Sequence, residues 1–137
     1  DIFPLKNIVQ IDPDMFKMAL PEWGGYVKRD ALSAGCHTRR ESGYLVEVAQ
    51  EAAMQERKHV WVDGSLRDAE WYTVVFQFVR QRHPAYRIAI IYVEARKEVI
   101  YARIHQRAKL TGRDVPQAEV DDSIERVPKS VETLSPE

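Results

Sequence analysis

Asp63, Gly64, Ser65 and Arg67 follow directly on the apolar run Val60, Trp61, Val62. A carboxylate, a turn glycine, a hydroxyl and a guanidinium at the end of an apolar run suit the carboxyl edge of a parallel sheet, where open α/β sheets bind their ligands. A second apolar run, residues 7–11, ends the same way in Asp12, Pro13 and Asp14. Two strands that each deliver an acid to one edge suggest a metal–phosphate site. Asp63 has the placement of an acid that orients Mg²⁺ or its waters beside phosphates, Ser65 adds a hydroxyl contact, and Arg67 can neutralise an anion. Asp14 sits at the mouth, where a carboxylate can accept a proton from a substrate hydroxyl or help hold a metal. Each feature also has a plain structural reading: an Asx turn at 12–14, turn chemistry at 63–65 and a surface arginine.

The cations come next. Arg96, Arg103 and Arg107 are spaced seven and four apart and share one helical face, with Arg113 in the loop that follows. Guanidinium groups on a helix and its trailing loop can close over a triphosphate and stabilise charge on a moving phosphoryl group. Singly, such arginines are usually solvated. Glu47 lies mid-helix between Val46 and Val48, where a solvent-facing role is the ordinary one.

Those groups need a scaffold. Residues 7–11, 59–62 and 87–93 read as strands, the last strongly apolar. Residues 39–57 read as a helix with Leu45, Val48, Ala49, Ala52 and Ala53 on one face. Asp68 is placed to cap a helix in which Trp71, Val74, Val75, Phe78 and Val79 recur at helical spacing, ended by His83 and Pro84. Residues 97–110 form a third helix, stopped by Gly112. Residues 13–35 read mostly as loop, with a short helix near 15–20, and residues 114–137 as polar, with short helices. The alternation of strand and helix predicts an α/β fold: a parallel sheet with right-handed crossovers and helices on both faces. Trp71, Phe78 and the apolar residues of 87–93 are expected in its core.

Composition narrows the classes. The chain has 137 residues, 45% hydrophobic and 30% charged, which suits one globular domain and no second one. A net charge of -1 gives no signal for a broad nucleic-acid surface. Cys36 is the single cysteine, so no internal disulfide can form, which fits a reducing, cytoplasmic setting. The four histidines are scattered, no stretch is apolar enough for a membrane span, and no secretory leader pattern is present.

Taken in order, residues 11–17, the Glu47 helix, residues 62–67, and the Arg103/Arg107 helix with residues 111–116 resemble the zeta-toxin family of P-loop kinases. The resemblance runs from about residue 7 to about residue 134. It implies transfer of the γ-phosphoryl group of ATP (or GTP), with Mg²⁺, to a hydroxyl of a small acceptor such as a nucleotide sugar. By resemblance Asp14 is the general base, Glu47, Ser65 and Arg67 contact the acceptor, and Asp63 takes the place of an acid near the metal. Arg107 and Arg113 become lid arginines on the phosphates, with Arg103 beside them.

One departure is large. The Gly-x-x-x-x-Gly-Lys-Ser/Thr loop of P-loop kinases is absent from these residues. The expectation is therefore the central part of a kinase domain, with the P-loop and the last strand in flanking segments, and no turnover by this chain alone. Exposed sheet edges would then favour self-association, partial disorder or a partner strand. Two other readings stand beside this one: a polynucleotide or nucleoside kinase-like domain, and a non-catalytic interaction module that keeps the fold.

Overall fold

The computed structural model describes residues 7–111 and 114–135. Its elements run β1 (Ile8–Ile11), α1 (Pro13–Ala19), α2 (Trp23–Arg29), α3 (Ala31–His37), α4 (Arg39–Gln55), β2 (His59–Val62), α5 (Ala69–Arg82), α6 (Lys97–Thr111) and α7 (Gln117–Leu134). The fold is α/β with a small, open, two-stranded sheet. Its contacts group into two units: Asp1–Gly64 with Arg107–Val115, and Ser65–Gln106 with Pro116–Glu137.

In the first unit β1 and β2 pair in parallel, Ile8 opposite His59 through Ile11 opposite Val62. Helix α4 packs on both strands and on α1. Ile11, 1% exposed, anchors the end of β1. Burying such a side chain is worth roughly 1.5–3 kcal/mol. Trp23, Ala34, Ala53 and Met54 complete the apolar core. Two hydroxyls are buried with them and are satisfied locally: Thr38 Oγ1 donates to the Ala34 carbonyl at 3.0 Å, and Ser42 Oγ to that of Arg39 at 3.1 Å. The buried face of α4 therefore runs through Ser42, Ala53 and Met54, whereas Val48, expected on it, is exposed. Helix α4 ends in a Schellman turn. The Lys58 N–H reaches the Ala53 carbonyl and the Arg57 N–H that of Met54, with Arg57 at φ 55°.

The stretch 13–35, read from sequence as mostly loop, forms three short helices. Asp12 and Asp30 cap two of them, each accepting an N–H two residues on. Pro13 occupies the first helical position of α1, where its missing N–H costs nothing. Trp23 pins α2 despite the glycine pair that follows it.

In the second unit α5 packs against α7. Val79, Val120, Ser130 and Leu134 are buried there. Asp68 caps α5 as the sequence predicts, accepting the Trp71 N–H at 3.0 Å. Helix α7 is one 18-residue helix rather than several short ones, and it continues through Pro128. The row Val120, Ile124, Val127, Val131, Leu134 supplies a continuous packing stripe. That stripe compensates for the backbone bond the proline cannot make.

Two expectations are corrected. Residues 87–93 form no strand; the sheet has only β1 and β2 among the described residues. Ile91 is 64% and Val93 78% exposed. Apolar content makes a segment able to join a sheet, but a strand exists only where a neighbour's N–H and C=O groups meet it. Trp71 and Phe78, expected in the core, are also about half exposed, because α5 turns its Val79 side to α7.

Candidate functional site

The parallel register decides the acidic edge. Because Ile11 pairs with Val62, both strands end level, and the Asp63 N–H donates to the Ile11 carbonyl at 2.9 Å. Asp63 thus leaves the sheet beside Asp12, and Asp14 follows in the first turn of α1. Asp14 and Asp63 lie at the same edge of the ladder, not on opposite rims.

The three acids divide the work. Asp12 caps α1, its Oδ1 accepting the Asp14 N–H at 2.8 Å. The Asx turn therefore belongs to Asp12. Lys17 Nζ lies 3.4 Å from Asp14 Oδ1, one turn along the helix, with its side chain only 12% exposed. Both oxygens of Asp63 accept N–H bonds. Trp61 Nε1 donates to Oδ1 at 3.0 Å and Gln10 Nε2 to Oδ2 at 3.3 Å. Gln10 and Trp61 are partners in the ladder, and Asp63 is two residues beyond Trp61, so all three share a face. Lys17, Gln10 and Trp61 were not singled out by sequence reasoning. The signal was there in period two along β2, but an indole donor reads as an ordinary apolar residue until the register is known.

Glu47 lies exposed on α4, one turn before Glu51, which bonds Gln55 at 2.9 Å. Arg103 is exposed and Arg107 half-buried, one turn apart on α6. Arg113 lies outside the described residues.

In the second unit Ser65, Leu66 and Arg67 form a tight loop ahead of α5. Leu66 holds φ 52°, a left-handed conformation that costs a non-glycine residue roughly 1–2 kcal/mol. Three groups fix the loop. The Arg67 N–H reaches Ser65 Oγ at 3.4 Å, and the Ser130 hydroxyl donates to the Arg67 carbonyl at 3.2 Å. The hydroxyl of Tyr72 is tied to the Leu66 backbone; burial first, then the Asp68 charge, push its pKa above the usual tyrosine value, and the Leu66 bond works against them. Arg67 Nη1 lies 3.6 Å from Asp122 Oδ2 and 4.0 Å from Glu119 Oε2. A second staple joins α6 to α7. Asp121 Oδ1 takes the Lys97 ammonium and, at 2.7 Å, the Tyr101 hydroxyl. Those two donors, Lys97 first, pull the Asp121 carboxyl below its usual range.

A short parallel ladder with carboxylates at one edge, surrounded by helices, makes this an α/β protein. The chain matches the zeta toxin family over residues 2–137 and belongs to it, a family of P-loop kinase-like proteins. Comparison with curated proteins and with solved structures gave no match. No helix among the described residues is long and apolar enough to cross a membrane.

Proposed function

We propose that this chain carries the acceptor side of an ATP-dependent phosphotransferase of zeta-toxin type, acting on a hydroxyl of a small acceptor such as a nucleotide sugar. The observation that carries the reading is the shared sheet edge of Asp14 and Asp63, in a chain of this family.

In this reading Asp14 receives the proton of the acceptor hydroxyl as its oxygen attacks the γ-phosphorus. Lys17, beside that carboxylate, restricts its orientation. Glu47, Ser65 and Arg67 hold the acceptor. Arg107 and Arg113, with Arg103, lie along the phosphates and stabilise the charge that develops on the transferring group. None of these 137 residues forms a Gly-x-x-x-x-Gly-Lys-Ser/Thr loop, so the grip on the nucleotide phosphates is not assigned to them.

The donor set suits Mg²⁺ only in part-share. Among the described residues no group of three or more His, Cys, Asp or Glu could cage a metal. Mg²⁺ beside nucleotide phosphates needs no such cage, since one or two carboxylates plus phosphates and waters suffice. A carboxylate has about four acceptor sites. Asp63 spends two of its own on Trp61 and Gln10, so it retains acceptor sites for the ion or its waters. A bound ion would be held in part by Asp63 and would neutralise charge on the nucleotide phosphates.

The natural protein, given ATP, Mg²⁺ and UDP-N-acetylglucosamine, is expected to yield the phosphorylated sugar nucleotide, read by mass spectrometry. Phosphorylation of an oligonucleotide end in preference to the sugar nucleotide would replace the acceptor assignment. Absence of transfer to any hydroxyl acceptor would leave a binding module.

A further inference from the structure

The function proposed above assigns Arg67 to the acceptor but does not explain what aims it. Arginine is a long, flexible side chain, and a guanidinium recognises two oxygens only when its planar fork is presented edge-on. In this structure the Arg67 side chain is 19% exposed, and both of its ion-pair contacts fall on one atom, Nη1. The partners, Glu119 and Asp122, lie one turn apart on α7 and are themselves 40–43% exposed. Asp122 is shared with Arg126, 3.9 Å away on the same helix. The guanidinium's other edge, Nε with Nη2, carries two N–H groups in the spacing of two phosphate oxygens.

The backbone is tied to the same helix. Ser130, 5% exposed, donates to the Arg67 carbonyl, while Leu66 stays in its costly left-handed conformation. Strain of that kind persists only where the surroundings over-determine it, and it concentrates at sites that bind. Helix α7 thus meets Arg67 at both ends: the carbonyl through a hydrogen bond from Ser130, the guanidinium through ion pairs to Asp122 at 3.6 Å and Glu119 at 4.0 Å.

We infer that Glu119 and Asp122 are positioning residues: they hold Arg67 by Nη1 so that its Nε–Nη2 edge faces the phosphate of a phosphate-bearing acceptor. The inference rests on the acceptor role of Arg67. It has a sharp competitor in simple electrostatics. If the two carboxylates only cancelled the charge of Arg67, removing them would strengthen anion binding. If they aim it, removing them weakens binding, because the freed side chain must be ordered again each time.

The test titrates the isotopically labelled chain with UDP-N-acetylglucosamine by NMR, with backbone spectra reporting that each variant keeps the fold. The parent chain is expected to bind, and Arg67→Ala to lose about tenfold or more, as removal of a charged hydrogen-bonding partner does. The double variant Glu119→Gln/Asp122→Asn is expected to lose about fivefold, the upper range for exposed ion pairs. Asp122→Glu alone, which keeps the charge on α7, is expected to retain most of the parent's binding. Equal or tighter binding by the double variant, with Arg67→Ala still weakened, overturns the positioning role and leaves the acceptor role standing. No binding by the parent, or unchanged binding by Arg67→Ala, overturns the acceptor role itself.

Discussion

Asp12 and Asp14 differ by two positions and offer the clearest separation of structure from chemistry in this chain. Replacing Asp12 by Ala removes the α1 cap, whose Oδ1 accepts the Asp14 N–H at 2.8 Å. Losing such a cap costs about 1 kcal/mol, within a range of roughly 0.5–2. Replacing Asp14 by Asn keeps the shape and an acceptor oxygen for Lys17. It gives up an ion pair of 3.4 Å whose carboxylate is 31% exposed. Exposed pairs of that kind are worth about 0.2–1 kcal/mol, so the substitution shifts stability little. Function should respond in the reverse order. Loss of a general base slows transfer by ~10²–10⁴-fold, whereas a lost cap leaves the folded fraction working. Stability is read on the 137-residue chain by urea unfolding, with buried Trp23 contributing to the fluorescence change. Turnover is read on the natural protein with radiolabelled ATP. Transfer that survives Asp14→Asn, or that vanishes in Asp12→Ala well below its unfolding midpoint, refutes the division of roles.

Three further outcomes follow from the fold. Arg57→Gly relieves the left-handed strain at the end of α4 and should raise stability by about 0.5–1 kcal/mol, seen as a higher urea midpoint at unchanged slope. The Lys97–Asp121–Tyr101 staple has a defined pH window. Asp121 is lowered from 3.8, so its share is present above that value and lost as pH falls through the folded pKa; Lys97 is raised from 10.5 by Asp121, so its share is present below that value and lost as pH rises through the folded pKa. Protection factors for hydrogen exchange in α6 and α7, which are corrected for the intrinsic pH dependence of exchange, should therefore be highest between those limits and fall outside them, and Asp121→Asn should flatten the profile. Finally, Ile91→Lys should cost under about 0.5 kcal/mol, as exposed substitutions do, while reducing self-association in sedimentation. A large loss of stability would mean that residues 87–93 are covered in solution.

The acidic sheet edge could be anticipated because acids after apolar runs carry their own local meaning. The capping roles of Asp12 and Asp68 follow from residue type and position alone. Of the three helices that begin within 13–35, only the short one near 15–20 could be anticipated; glycine and proline spoke for loop in the rest, and the burial of Trp23 and Ala34 outweighs them. Pro128 misled in the same way, because its cost is offset by the α7 stripe against α5. Residues 87–93 erred in the other direction: a strong strand pattern without a ladder.

The sequence by itself determined the class of the chain, the order of its main helices, the two acid-tipped strands and the kinship with the zeta toxin family. Those are carried by composition, periodicity and motif order, which are local properties. Tertiary structure alone decided that Gln10 reaches Asp63, that Arg67 is paired with Glu119 and Asp122, and which apolar segments find a partner. These depend on register and helix packing, which join residues more than fifty positions apart, and no local pattern encodes a distance of that kind.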